Sequence, residues 1–195
     1  MTSRFLAVAA GTLALGAGPC QGQSPSPLLV ANQLAGVGLP YRWGGADPAA
    51  GGLDCSGFIK AVFQRAYGLS LPDESGKQYE WLCQHGRVWN AATGWSPSDL
   101  QPGDLIFWSG TWPSQRASPI THVMMYAGEN RMVGAQSAGR KIGATTAGVG
   151  YFFFHPRVPS GNPPFDPPSF HDKPTLYAYG RVLPPGNLFS RNADP

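Results

Sequence analysis

The sequence predicts an α+β domain, with helices first and an antiparallel set of strands after them. Up to Gly86 the apolar residues recur at helical spacing between recognisable caps. Beyond Gly86 the apolar runs shorten and are separated by turn residues, as strands are. Length and composition agree: 195 residues with 42% hydrophobic and 12% aromatic content can build one substantial core without disulfide staples.

The first twenty residues stand apart. Arg4 precedes an apolar, small-residue run from Phe5 to Gly18, then Pro19 and Cys20, the pattern of a secretory signal peptide. The run is too short and glycine-rich to span a bilayer comfortably; a buried N-terminal helix is the alternative. Export to the periplasm or beyond is therefore expected. Cys20 sits where a bacterial lipoprotein carries its acylated cysteine, although Pro19 replaces the usual small residue. Membrane attachment is expected only if Cys20 is lipidated. Residues 21–26 read as a linker.

Ser26-Pro27 opens a helix with Ser as N-cap and Pro at its first position, with Val30, Leu34 and Val37 on one face and Gly38 at its end. Tyr41 to Gly52 is a glycine-rich loop carrying Trp43. Asp54 caps a second helix running to about Tyr67, stopped by Gly68, whose apolar stripe is Phe58, Ile59, Val62, Phe63 and Ala66. A third helix spans about Ser75 to Gln84.

Strands are predicted at Asp104–Trp108, Thr121–Ala127, Arg131–Gln136 and Tyr151–Phe154, with a last one near 176–183. Gly128-Glu129-Asn130 makes a hairpin connection. The domain is thus placed at 27–158, followed by a proline-rich extension over 159–195.

Charge excludes some functions. Charged residues are 13% of the chain, net charge is +3, and no Lys/Arg run exceeds two, so a nucleic-acid footprint is not expected. Four dispersed histidines and three cysteines lack metal-ligand spacing, and neither metal nor cofactor is implied. The absence of C-x-x-C disfavours a thiol oxidoreductase. A Cys55–Cys83 disulfide is compatible with composition alone.

Cys55 carries the chemistry. In the first turn of a helix capped by Asp54 it faces unpaired backbone N–H groups and the positive end of the helix dipole, which favour thiolate and can receive an oxyanion. Gly57 is expected to leave room for substrate. A thiolate needs an imidazole partner, and His122 alone among the four histidines heads an apolar strand that could aim it. A buried small cysteine and a satisfied core histidine are the plainer readings of the two residues.

Tyr41-Arg42-Trp43-Gly44-Gly45, Asp54-Cys55-Ser56-Gly57-Phe58, Leu100-Gln101-Pro102-Gly103-Asp104-Leu105 and His122-Val123 with Tyr126 and Gly128 follow in order. Together they resemble the NlpC-type cell-wall cysteine peptidase family, over roughly Leu34 to Gln136. The resemblance implies a papain-like α+β fold, with the Cys helix packed on an antiparallel sheet that carries the His. It implies hydrolysis of amide bonds in peptidoglycan stem peptides, typically between γ-linked D-glutamate and the following diamino acid.

By position, the resemblance makes Cys55 the nucleophile and His122 the base and then acid, with Tyr41 beside the sulfur. Asp54 and Ser56 match positions that help recognise a stem-peptide amine in some relatives. For these three, a packing aromatic, a cap and an ordinary first-turn residue are the plain alternatives.

The family usually adds a third polar residue to orient the imidazole, and alignment puts Gly134 there. Gln136 is two residues on and shares its strand face, so it is the first candidate for that role. His155 is the second, and water or a backbone carbonyl a third. The loop Ser109–Ile120 is expected to wall the cleft, with Trp43, Trp108 and Trp112 lining it or merely packing. Two other functions stay open: acyl transfer or amidase action on a non-wall substrate, and wall binding by an impaired enzyme scaffold.

Overall fold

A computed structural model describes residues 24–90, 97–138, 141–143, 147–154 and 175–184. The expected signal segment with Cys20, and His155, lie outside the described residues. Helix α1 (Pro27–Val37) begins as its cap predicts: Ser26 Oγ accepts from the Leu29 N–H at 3.2 Å. It buries Val30, Ala31 and Leu34, whereas Val37 is 66% exposed because the helix ends there, at a left-handed Gly38.

Helix α2 (Cys55–Tyr67) is capped by Asp54 and closed by Gly68 at φ 67°. It buries Phe58, Ile59, Val62, Phe63 and Ala66, the stripe read from sequence. Helix α3 (Ser75–His85) ends at an extended Gly86 and passes directly into β1 (Arg87–Asn90), a strand the sequence pattern does not predict.

The remaining strands are β2 (Leu105–Ser109), β3 (Ile120–Gly128), β4 (Arg131–Gln136), β5 (Gly148–Phe153) and β6 (Thr175–Arg181). They form one antiparallel sheet in the order β1-β6-β2-β3-β4-β5. The last strand among the described residues, β6, is therefore interior to the sheet, between β1 and β2.

Both faces of the sheet are packed. On one, Leu105, Phe107, Val123, Met125, Val133 and Ala135 meet the buried faces of α1 and α2. On the other, Ile106, Trp108, Met124, Met132, Phe152, Phe154 and Tyr179 form a second apolar cluster. Double burial explains why Thr121–Tyr126 alternates so poorly in sequence: neither face of β3 needs polar residues. Among the described residues, no helix is long and apolar enough to cross a membrane.

Candidate active site

Asp54 builds the entrance to α2. Its Oδ1 accepts from the Gly57 N–H at 2.7 Å, and its Oδ2 accepts from the Gly44 N–H at 2.9 Å. One carboxylate therefore caps the helix and clamps the preceding loop to it. The loop lies so close that a Cβ on Gly57 would sit 1.9 Å from the Gly45 carbonyl oxygen. Glycine at 57 makes room for the chain's own backbone, not for substrate as the motif alone suggests. A parallel bridge between Tyr41 and Leu53 brings Tyr41 to the same helix start.

Cys55 is buried, 8% exposed, and is not in a disulfide; Cys83 is a separate, exposed thiol on α3. The backbone N–H groups of Cys55, Ser56 and Val123 all point at the sulfur and favour thiolate. Burial outweighs them and, with the Asp54 charge, pushes the thiol up to about 12. The helix-start position alone favours a thiolate; enclosure by the core opposes it and favours the protonated thiol. Tyr41 is likewise pushed well above its usual range, by burial first and then by Cys55 and Asp54, which places its hydroxyl in their company.

His122 precedes Val123, whose amide reaches the sulfur, so the base candidate lies one residue along β3 from the strand's contact with Cys55. The strand is irregular there: Trp108 pairs with His122 but Ser109 pairs with Ile120, leaving Thr121 as an extra residue. Such bulges re-aim neighbouring side chains. Thr121 Oγ1 accepts from the Thr111 N–H at 3.0 Å and its carbonyl accepts from Trp112 Nε1 at 2.9 Å, which fixes the bulge.

Burial holds the His122 imidazole down, to about 4, and a hydrogen-bond interaction with the Gln136 side chain opposes this. Pairing of Met125 with Val133 and Tyr126 with Met132, continued along the ladder, sets His122 opposite Gln136 and Met124 opposite Gly134. Gln136 is 1% exposed, and its Nε2 donates to the Ala138 carbonyl at 2.6 Å; its buried Oε1, without a close hydrogen-bond partner among the described residues, is left as the atom that can accept from the ring. Gly134 instead backs Met124.

The other sequence candidates divide. Ser56 is buried, donates to the Asp73 carbonyl at 2.6 Å and lies 3.0 Å from Asp54 Oδ1, so its hydroxyl joins the helix start to the loop before α3. Trp108 is fully buried in the second cluster and cannot line a groove, which corrects that expectation. Trp43 is 60% exposed and packs edge-on against Trp112, ring centroids 5.1 Å apart. The Val123 amide has no sequence signal at all, since backbone N–H groups are common to nearly every residue and only the fold selects this one. Among the described residues, no group of three or more His, Cys, Asp or Glu side chains could hold a metal ion.

Residues 38–153 match the NlpC/P60 family. The chain is 38% identical over 113 residues to the "Probable endopeptidase p60" of Listeria innocua, covering 58% of this chain and 20% of that protein. It is 33% identical over 106 residues to the "Gamma-D-glutamyl-L-lysine dipeptidyl-peptidase" of Bacillus subtilis, covering 54% of this chain and 30% of that protein. The match thus spans a fifth to under a third of these curated relatives.

A crystal structure of an NLP/P60-family protein similar to lipoprotein, from Staphylococcus aureus, superposes with a TM-score of 0.53 and 27% identity, covering 80% of this chain and 41% of that one. The helix bearing Cys55, packed on an antiparallel sheet bearing His122, is the papain-like α+β arrangement. Because the family match runs from the end of α1 through β5 and takes in Cys55, His122 and Gln136 together, the chain belongs to the NlpC/P60 family.

Proposed function

We propose that this protein is a cysteine peptidase that hydrolyses amide bonds in peptidoglycan stem peptides outside the cytoplasm, at the bond joining γ-linked D-glutamate to the next diamino acid. The observation carrying this reading is the convergence of three backbone N–H groups on the Cys55 sulfur, one of them from the residue after His122. Those donors favour negative charge on the sulfur as it attacks, and a substrate carbonyl oxygen seated beside it would come within their reach.

In this mechanism Cys55 Sγ attacks the carbonyl carbon and its proton passes to His122. The amides then hold the oxyanion. His122 returns the proton to the departing amine, leaving a thioester that water hydrolyses with His122 again as base. Gln136 positions the ring through its carbonyl oxygen. Tyr41, beside the sulfur, and Asp54, at the mouth of the helix, contact the substrate on either side of the bond. Relatives named as a γ-D-glutamyl-L-lysine dipeptidyl-peptidase and a DL-endopeptidase support the substrate class.

The test is turnover of purified muropeptides, with products read by mass spectrometry. Cys55→Ser and His122→Ala are each expected to lower kcat by on the order of 1000-fold or more. Unchanged turnover by Cys55→Ser would sink the reading.

A further inference from the structure

A second cluster stands beside the Cys55 region, and it is built from residues the proposed chemistry does not use. Trp43 and Trp112 meet nearly at right angles, 84°, with centroids 5.1 Å apart. The Arg116 guanidinium lies over both rings, 5.9 Å from the Trp43 centroid and 5.3 Å from that of Trp112. Glu74 holds this arginine at 3.3 Å.

Each indole is tied to one half of the site. Trp43 precedes Gly44, whose amide is bound to Asp54; Trp112 donates to the carbonyl of Thr121, the neighbour of His122. The loop carrying Arg116 is seated on α3, where a Cβ on Gly76 would meet Ser118 Oγ at 2.5 Å. The corner is thus a fixed wall, and its 60% exposed tryptophan is a large apolar surface left open to solvent.

The chemistry of the corner selects its ligand. Glu74 is shared between Arg116 and Lys77, at 3.3 and 3.1 Å, so the residual positive charge of the corner sits on exposed side chains that solvent screens, a weak basis for holding a carboxylate. It offers an aromatic face, guanidinium N–H donors and carboxylate acceptors within one small surface. A pyranose ring has the matching pattern: an apolar face of C–H groups to lie on an indole, and a rim of hydroxyl and acetamido groups that both donate and accept.

We propose that Trp43, Trp112 and Arg116 form a saccharide subsite that seats an N-acetylated amino sugar of the glycan strand. This rests on the stem-peptide reading above and adds that the preferred substrate still carries its sugar.

Two measurements test it. In the first, kcat/KM is compared for one stem peptide with and without its N-acetylated sugar. The full chain is expected to favour the sugar-bearing form by about tenfold or more. Trp43→Ala should bring that ratio near one and Trp43→Tyr should keep most of it. Equal turnover of the two forms by the unaltered protein, or a Trp43→Ala variant with its ratio intact, overturns the subsite. The second is independent of hydrolysis: the disaccharide of N-acetylglucosamine and N-acetylmuramic acid is titrated while indole N–H resonances are followed. Saturable shifts that Trp43→Ala and Arg116→Met abolish support the subsite even if no peptide is cut. No shift at tens of millimolar overturns it even if peptides are cut.

Discussion

Gly134 and Met124 face one another across β4 and β3 so closely that a Cβ on residue 134 would lie 2.5 Å from the methionine Sδ. Met124 is fully buried, so it has to repack rather than swing into solvent. Gly134→Ala should therefore cost about 1–3 kcal/mol, the usual range for overpacking a core. Met124→Ala should cost roughly 2–5 kcal/mol through its cavity. Because the added methyl enters space the methionine leaves, the double variant should be more stable than the sum by about 1 kcal/mol. Urea titrations of the four proteins provide the cycle.

With position 134 closed to any side chain, the group that reaches His122 is Gln136. Its hydrogen bond favours the charged imidazole, so Gln136→Ala should lower the His122 pKa below its value of about 4. An imidazole base must be neutral, and activity is lost as pH falls through its pKa. The acid limb of kcat/KM should thus lie near pH 4, far under the ordinary histidine range, and move lower still in Gln136→Ala. Gln136→Glu should move it upward, because a carboxylate stabilises the imidazolium. Turnover should fall roughly 10- to 100-fold in Gln136→Ala, from lost ring orientation. A merely structural glutamine would lower rates without displacing the limb.

Helices α1 and α2 were legible because their caps are local: Ser26, Asp54, Gly38 and Gly68 act within one turn of their own positions. The strand β1 was not, since Arg87–Asn90 is short and its ladder partner among the described residues is β6, about ninety residues away. The aligned third position was read as a glycine lacking a function, and its reason, Met124, appears only once β3 and β4 are paired. Sequence placed Cys55 at a helix start correctly. It could not weigh the burial that favours the protonated thiol, because that burial comes from Val123 and the sheet behind it.

The charge and the hydrogen bonds of Asp54 can be separated. Its charge raises the Cys55 pKa, while its oxygens accept from Gly57 and Gly44. Asp54→Asn keeps an acceptor at the cap and removes the charge. The pH midpoint for alkylation of Cys55 should then fall below about 12, with little change in stability. Asp54→Ala should lower the midpoint too, but cost about 1 kcal/mol or more as the cap and clamp are lost. An alkylation midpoint unchanged in both variants would mean that burial alone sets the thiol pKa.

The interior position of β6 depends on an ion pair. Asp104 is 1% exposed, and Arg181 Nε and Nη2 donate to its two oxygens at 2.7 and 2.8 Å. Asp104 Oδ2 also accepts from the Gln101 N–H, closing the turn that leads into β2. Arg181→Met leaves a buried carboxylate facing an apolar chain, whereas Asp104→Asn with Arg181→Met removes the charge as well. Truncating one partner of a buried pair costs about 3–5 kcal/mol, while replacing both with matched neutral groups costs much less. The single Arg181 variant should therefore show the larger loss in urea midpoint, at neutral pH. A double variant that loses as much as Arg181→Met alone would show that stacking of the guanidinium on Trp89, and not the charge pair, holds β6 in place.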